Sequence, residues 1–305
     1  MTRRLLSLSL SLVLALSLAA CGGGVSQAEY DKLKRDYEQL LDDYNALKGG
    51  GTASPSPSGG TLPTDNGNPS NPFDWGDTDP TPDDAVITFP DPAFEAAVRK
   101  VSNTPIGDIT KADVARLTSL DVSGTSEVRG SIRDMTGIEH FTALTTLYCY
   151  YNQITVLDVS RNTALTVLYC NDNQLSTLDV SRNTALTTLI CSDNWLSTLD
   201  VSRLAALTGL ACYNNQLTSL DVSRLTALTQ LACGGNRLTT LDVTHNTALT
   251  ELYCSDNQLT ALDVSGLTAL KFFDCRNNYF PNKSAIIGLG ESKIDRFIFD
   301  PPRTP

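Results

Sequence analysis

The sequence predicts a repeat solenoid, in which short parallel strands stack in register, irregular turn-rich segments return the chain, and a cap closes each end. Three observations predict it. From Leu144 to Asn278 a 21-residue unit, Leu-x-x-Leu-x-Cys-x-x-Asn-x-Leu-x-x-Leu-Asp-Val-Ser, is written almost seven times. Cysteines mark the period at Cys149, Cys170, Cys191, Cys212, Cys233, Cys254 and Cys275. Asparagines keep the same beat at Asn152, Asn173, Asn194, Asn215, Asn236, Asn257 and Asn278. A unit this short cannot bury its own leucines, but stacked units share them in one long core.

The apolar positions of one unit, Leu165, Leu168, Cys170, Leu175, Leu178 and Val180, are expected to point inward. The asparagine falls where the chain leaves the strand. A buried amide there is expected to bond backbone groups of its own rung and of the next. Alternate strand residues point to opposite faces, so the positions between the core leucines form the candidate binding face. Its residues are Tyr148, Tyr150, Tyr169, Asn171, Ile190, Tyr213, Tyr253 and Arg276, with Tyr151 beside them and Trp195 as an exposed aromatic on a turn. Exposed tyrosine and tryptophan commonly anchor protein interfaces; the alternative is that tyrosine simply suits a strand face.

Two further ladders carry chemistry of their own. Seven is an odd number of cysteines, and equivalent side chains on stacked strands point the same way. A row of dry thiols is therefore favoured over disulfides, although rungs about 4.8 Å apart are close enough for bonding. Zinc is disfavoured, since there is no CxxC and His140 and His245 stand apart from the cysteines. Aspartates recur at Asp158, Asp179, Asp200, Asp221, Asp242 and Asp263, with Arg161, Arg182, Arg203 and Arg224 three residues after the first four. Stacked carboxylates repel. Backbone N–H donors in the following turn and the arginines offer a structural answer; a row of calcium ions is the functional alternative, disfavoured because no Gly-Asp calcium repeat is present.

The unit Leu-x-x-Leu-x-(Leu/Cys)-x-x-Asn resembles the leucine-rich repeat, and the form with cysteine and Leu-Asp-Val resembles its 21-residue bacterial subclass called IRREKO. The stretches Phe94–Arg99, Gly107–Thr110 and Leu117–Val122, with Gly137-Ile138-Glu139, resemble the cap and first repeat of internalin-like bacterial surface proteins. These resemblances imply a curved or twisted solenoid that binds other macromolecules, and adhesion or host contact for the internalin likeness.

The flanks divide the rest. Residues 1–20 read as a lipoprotein signal peptide, with Arg3 and Arg4 before an apolar run. Leu18-Ala19-Ala20-Cys21 resembles the bacterial lipobox, which implies lipid on Cys21. Residues 21–48 carry Tyr30, Leu33, Tyr37, Leu40, Tyr44 and Leu47 at heptad spacing, a short coiled-coil-like helix expected to self-associate through 27–48 or to serve as a solvated stalk. Residues 49–84 are expected to form a disordered Gly/Pro/Ser/Asp linker. Residues 85–116 form a helical N-terminal cap, 117–278 the repeats, and 279–305 a C-terminal cap and tail. In that last cap Ala285, Ile286, Ile287 and Leu289 suggest a short helix, and 294–299 a closing strand.

A net charge of −11 argues against nucleic acid and against an anionic bilayer surface, so the membrane is reached through the lipid anchor only. Neither a nucleophile elbow nor a phosphate loop is present, and no non-covalent cofactor is expected. The expected function is therefore not an enzyme's. It is that of a lipid-anchored protein outside the cytoplasm, on an outer membrane or the outer leaflet of a plasma membrane, whose strand face binds an extracellular or envelope protein or glycan. The alternatives are a structural spacer in the envelope, and a sensor or inhibitor of a secreted enzyme.

Overall fold

The computed structural model describes residues 84–125, 128–290 and 294–300. The expected leader, Cys21, the heptad helix and all of the linker except Asp84 lie outside the described residues. Among the described residues, no helix is long and apolar enough to cross a membrane.

The N-terminal cap begins with helix α1, Pro92–Ser102. Asp91 starts it. One carboxylate oxygen accepts from the Ala93 and Phe94 N–H groups at 2.8 and 3.1 Å. The other accepts from Arg133 and Asp134 N–H at 2.7 and 3.1 Å, binding the cap to the first turns of the stack. Proline occupies the first helical position, where it costs no hydrogen bond, and Asn103 in the left-handed region ends the helix. A one-turn helix α2, Lys111–Val114, follows. The Asp113 carboxylate accepts from both the backbone N–H and the hydroxyl of Thr110, at 2.7 and 2.8 Å. Phe94, Val98, Ile109 and Val114 cover the open end of the core.

Nine strands then form one parallel sheet. β1 is Ser119–Asp121, β2 Thr146–Tyr148, β3 Val167–Tyr169, β4 Thr188–Ile190, β5 Gly209–Ala211, β6 Gln230–Ala232 and β7 Glu251–Tyr253. β8, Leu262–Asp263, lies in a return segment; β9, Phe272–Asp274, continues the sheet. β10 is Ile286–Ile287 and β11 Arg296–Ile298. The main sheet runs β1 to β7, then β9 and β11. Its register is the repeat itself: Leu147 pairs with Leu168, Leu168 with Leu189, and so on to Leu252 with Phe273. The inward positions predicted from the pattern are buried along the whole stack, Leu165, Leu168, Cys170 and Leu175 among them at 0% exposure.

The C-terminal cap differs in part from expectation. A 3-10 turn occupies Lys283–Ala285, and Ile286–Ile287 is extended, pairing as β10 with β8. Two β-branched residues are poor helix formers, and here they meet the free strand edge of Leu262–Asp263 while Ile286 closes over the core. The closing strand over 294–299 is present as β11, where Phe297 packs on Phe273 with ring centroids 5.4 Å apart.

Asp91 yields a direct test. Burial raises its pKa, but the four N–H donors outweigh this and leave the carboxyl below its ordinary value of 3.8. The ionised form is therefore favoured by folding, and its contribution is present above about pH 4 and lost as pH falls through the depressed folded value. Asp91→Ala is expected to cost about 2–3 kcal/mol at pH 7, read by denaturant titration, and clearly less at pH 3.

Candidate interaction surface

Each rung from β2 to β9 leaves its strand through one left-handed residue: Tyr151, Asp172, Asp193, Asn214, Gly235, Asp256 or Asn277. Asn, Asp and Gly tolerate that conformation, so only Tyr151 is a less usual occupant. The left-handed step turns the next side chain, the ladder asparagine, into the interior. The amide of Asn215 donates to its own rung at Cys212 O (3.1 Å) and Tyr213 O (3.2 Å) and to the preceding rung at Cys191 O (3.1 Å). Its oxygen accepts from Leu196 N–H at 2.9 Å. The same set recurs at Asn173, Asn194, Asn236, Asn257 and Asn278. The partner rung is thus the one before and not, as expected, the one after.

Two ladders were not read from the sequence. Asn162, Asn183 and Asn246 are wholly buried, and Asn183 donates to Val159 O and Asn162 O, both at 3.0 Å. Thr166, Thr187, Thr208, Thr229 and Thr250 each donate a hydroxyl to the carbonyl one rung earlier, at 2.9–3.1 Å. Both rows keep the same period, and that periodicity was the available signal. Leu204 and Leu225 replace the second asparagine in their rungs and are as deeply buried.

All seven ladder cysteines are free and buried. Burial pushes the Cys149 and Cys233 thiols up to about 12, which keeps them protonated near neutral pH. In the aspartate row one oxygen accepts from the N–H two residues on: Asp158 from Ser160, Asp179 from Ser181, Asp200 from Ser202 and Asp221 from Ser223, each at 2.9 Å. Hydrogen bonds from the same serines hold these carboxyls below the usual range, with the arginines only a minor influence. The turn donors, more than the arginines, favour the charged form of these carboxylates. No group of three or more metal-ligating side chains occurs among the described residues.

The candidate face needs correction. Tyr169, Asn171, Ile190, Tyr213 and Tyr253 point outward but are buried, at 5%, 5%, 0%, 8% and 8% exposure. Alternation fixes the direction of a side chain, whereas its exposed area depends on lateral neighbours. Here each outward residue has in-register neighbours one strand away. Tyr169 lies edge-on to Tyr148 at 5.0 Å, and Gln230 donates to Glu251, which also receives the Tyr253 hydroxyl. Tyr148, Tyr150 and Arg276 are half-buried. Arg276 is clamped to Asp274 by two bonds of 3.0 and 2.8 Å. Tyr148, Tyr150, Tyr151 and Tyr169 form a continuous edge-to-face cluster at the N-terminal end of the sheet. Trp195 is 54% exposed on its turn, as expected.

The two asparagine rows should answer differently to substitution. Asn215→Ala leaves a buried N–H and three carbonyls without this partner and is expected to cost about 2–4 kcal/mol in denaturant unfolding. Asn183→Leu installs the residue that Leu204 and Leu225 already supply at that position, and is expected to stay within about 1 kcal/mol.

Known proteins share this architecture. The family described as Leucine Rich repeats (2 copies) matches residues 142–183. Internalin J of Listeria monocytogenes serotype 4b is 47% identical over 75 residues, which is 24% of this chain and 8% of that protein. A solved structure described as the functional domain of InlJ from Listeria monocytogenes, including a cysteine ladder, is 35% identical with a TM-score of 0.56. That match covers 71% of this chain and 52% of the other, so this chain spans about half the length of that domain. Internalin C2 of the same species is 26% identical with a TM-score of 0.53, over 70% of this chain and 94% of the other. A 21-residue period, a buried cysteine ladder and these likenesses agree: this chain is a leucine-rich repeat protein similar to the internalins.

Proposed function

We propose that the chain is a protein-binding module displayed outside the cytoplasm, anchored by lipid on Cys21 and carried away from the membrane by the 49–84 linker. Leucine-rich repeats of this type commonly serve protein–protein interaction, and the lipobox-like leader supports the location. A random coil of that length would span roughly 30–36 Å, enough to free the repeats from the bilayer. Adhesion to a protein or glycan of another surface is the specific activity we assign.

The observation that carries this reading is the tyrosine cluster at the N-terminal end of the sheet. Tyr148 and Tyr150 are half-buried, and ring contacts to Tyr169 and Tyr151 hold them in place. Pre-ordered aromatics lose little entropy on binding and bury large area, which makes them effective anchors. Tyr169 and Tyr253, being buried, serve this reading as supports and not as contacts.

The test captures ligands from surface extracts on the immobilised chain, beside a Tyr148→Glu/Tyr150→Glu variant. A ligand held by the parent and weakened at least about tenfold in a variant with unchanged thermal unfolding is the expected result. Equal retention by both would remove the tyrosine cluster from the interface.

A further inference from the structure

Two columns of opposite charge run side by side along the return segments. Asp158, Asp179, Asp200 and Asp221 form one, and Arg161, Arg182, Arg203 and Arg224 form the other; all eight are exposed. Asp242 extends the acidic column by one rung. Among the described residues, no ion pair closes between the columns, since the four that occur lie elsewhere. Each of the four aspartates has one oxygen engaged by the backbone N–H of its turn.

We propose that this double column is the face through which two copies of the chain associate side by side and parallel. A partner that meets every rung must present opposite charges at the pitch of parallel strands, about 4.8 Å. A second copy has that pitch by construction. A two-fold axis along the stack exchanges the columns, setting aspartates against arginines on four consecutive rungs in both directions. A two-fold axis across the stack sets aspartate on aspartate and arginine on arginine, which repel. The pattern therefore selects the parallel pairing and rejects the antiparallel one. Because the contact is isologous, it closes at a dimer. Both N-termini then leave from the same end of the stack, as two chains tethered to one surface require.

Single exposed ion pairs are weak and screened by salt, so the association is expected to be concentration-dependent and salt-sensitive. It needs no outside ligand, so it stands or falls apart from the adhesive reading.

Sedimentation equilibrium of the full chain tests the proposal, alongside two reversed variants. One is Arg182→Asp/Arg203→Asp, the other Asp179→Arg/Asp200→Arg. The parent is expected to dimerise at low salt and to weaken about tenfold or more between about 50 and 500 mM salt. Each reversed variant alone is expected to be monomeric at the parent's concentration, and an equal mixture to restore a dimer. Thermal unfolding checks the turns. If the aspartate reversals disturb them, Asp179→Asn/Asp200→Asn keeps the turn acceptor and is expected to weaken the dimer by itself. A parent that stays monomeric at low salt would overturn the proposal. So would a dimer that survives the arginine reversal, which is the behaviour of association through residues 27–48. With folded variants, a mixture no more dimeric than its parts would do the same.

Discussion

Every rung must turn off its strand inside the protein, and the backbone groups exposed by that turn have to be bonded without water. This constraint governs the rest of the structure. Parallel strands cannot be joined by a tight hairpin, so each 21-residue unit must travel around and return beneath its predecessor. The ladder asparagine makes that possible, since one side chain supplies donors to two rungs and an acceptor to the earlier one. The left-handed residue before it aims the amide inward. Once the turn is satisfied, leucines and cysteines of successive rungs meet in register, and the core becomes continuous from Leu120 to Phe273.

The same constraint explains why the ends look unlike the middle. The first rung has no predecessor, so Asp91 and the residues of α1 and α2 take over the polar and apolar partnerships a rung would supply. At the far end β11 continues the sheet and a phenylalanine stack covers the last leucines. Function is displaced to the surface by this arrangement, since the thiols are buried out of reach. Among the described residues, the surface carries a tyrosine cluster, the exposed Trp195 and the paired charge columns.

Much of this was legible because the period repeats each decision. Leu168 and its equivalents had to be core, Thr110 and Asp113 had to cap, and Trp195 had to stand out. Less legible was anything set by neighbours in space. The outward strand positions were read correctly for direction and incorrectly for exposure, because Ile190 has in-register residues on both sides that a linear pattern does not weigh. The direction of the asparagine bonds depends on a backbone step at Asp172 or Asn214 that composition alone does not specify. Ile286 and Ile287 fall outside the period, where local pattern had no repeat to correct it.

Native-state hydrogen exchange on the amides of Leu175, Leu196, Leu217 and Leu238, the N–H groups held by ladder asparagines, addresses the central claim most directly. The account predicts that they exchange together, only through cooperative unfolding, with a dependence on denaturant matching that of the global transition. Exchange of these amides by independent local openings, rung by rung, would contradict it.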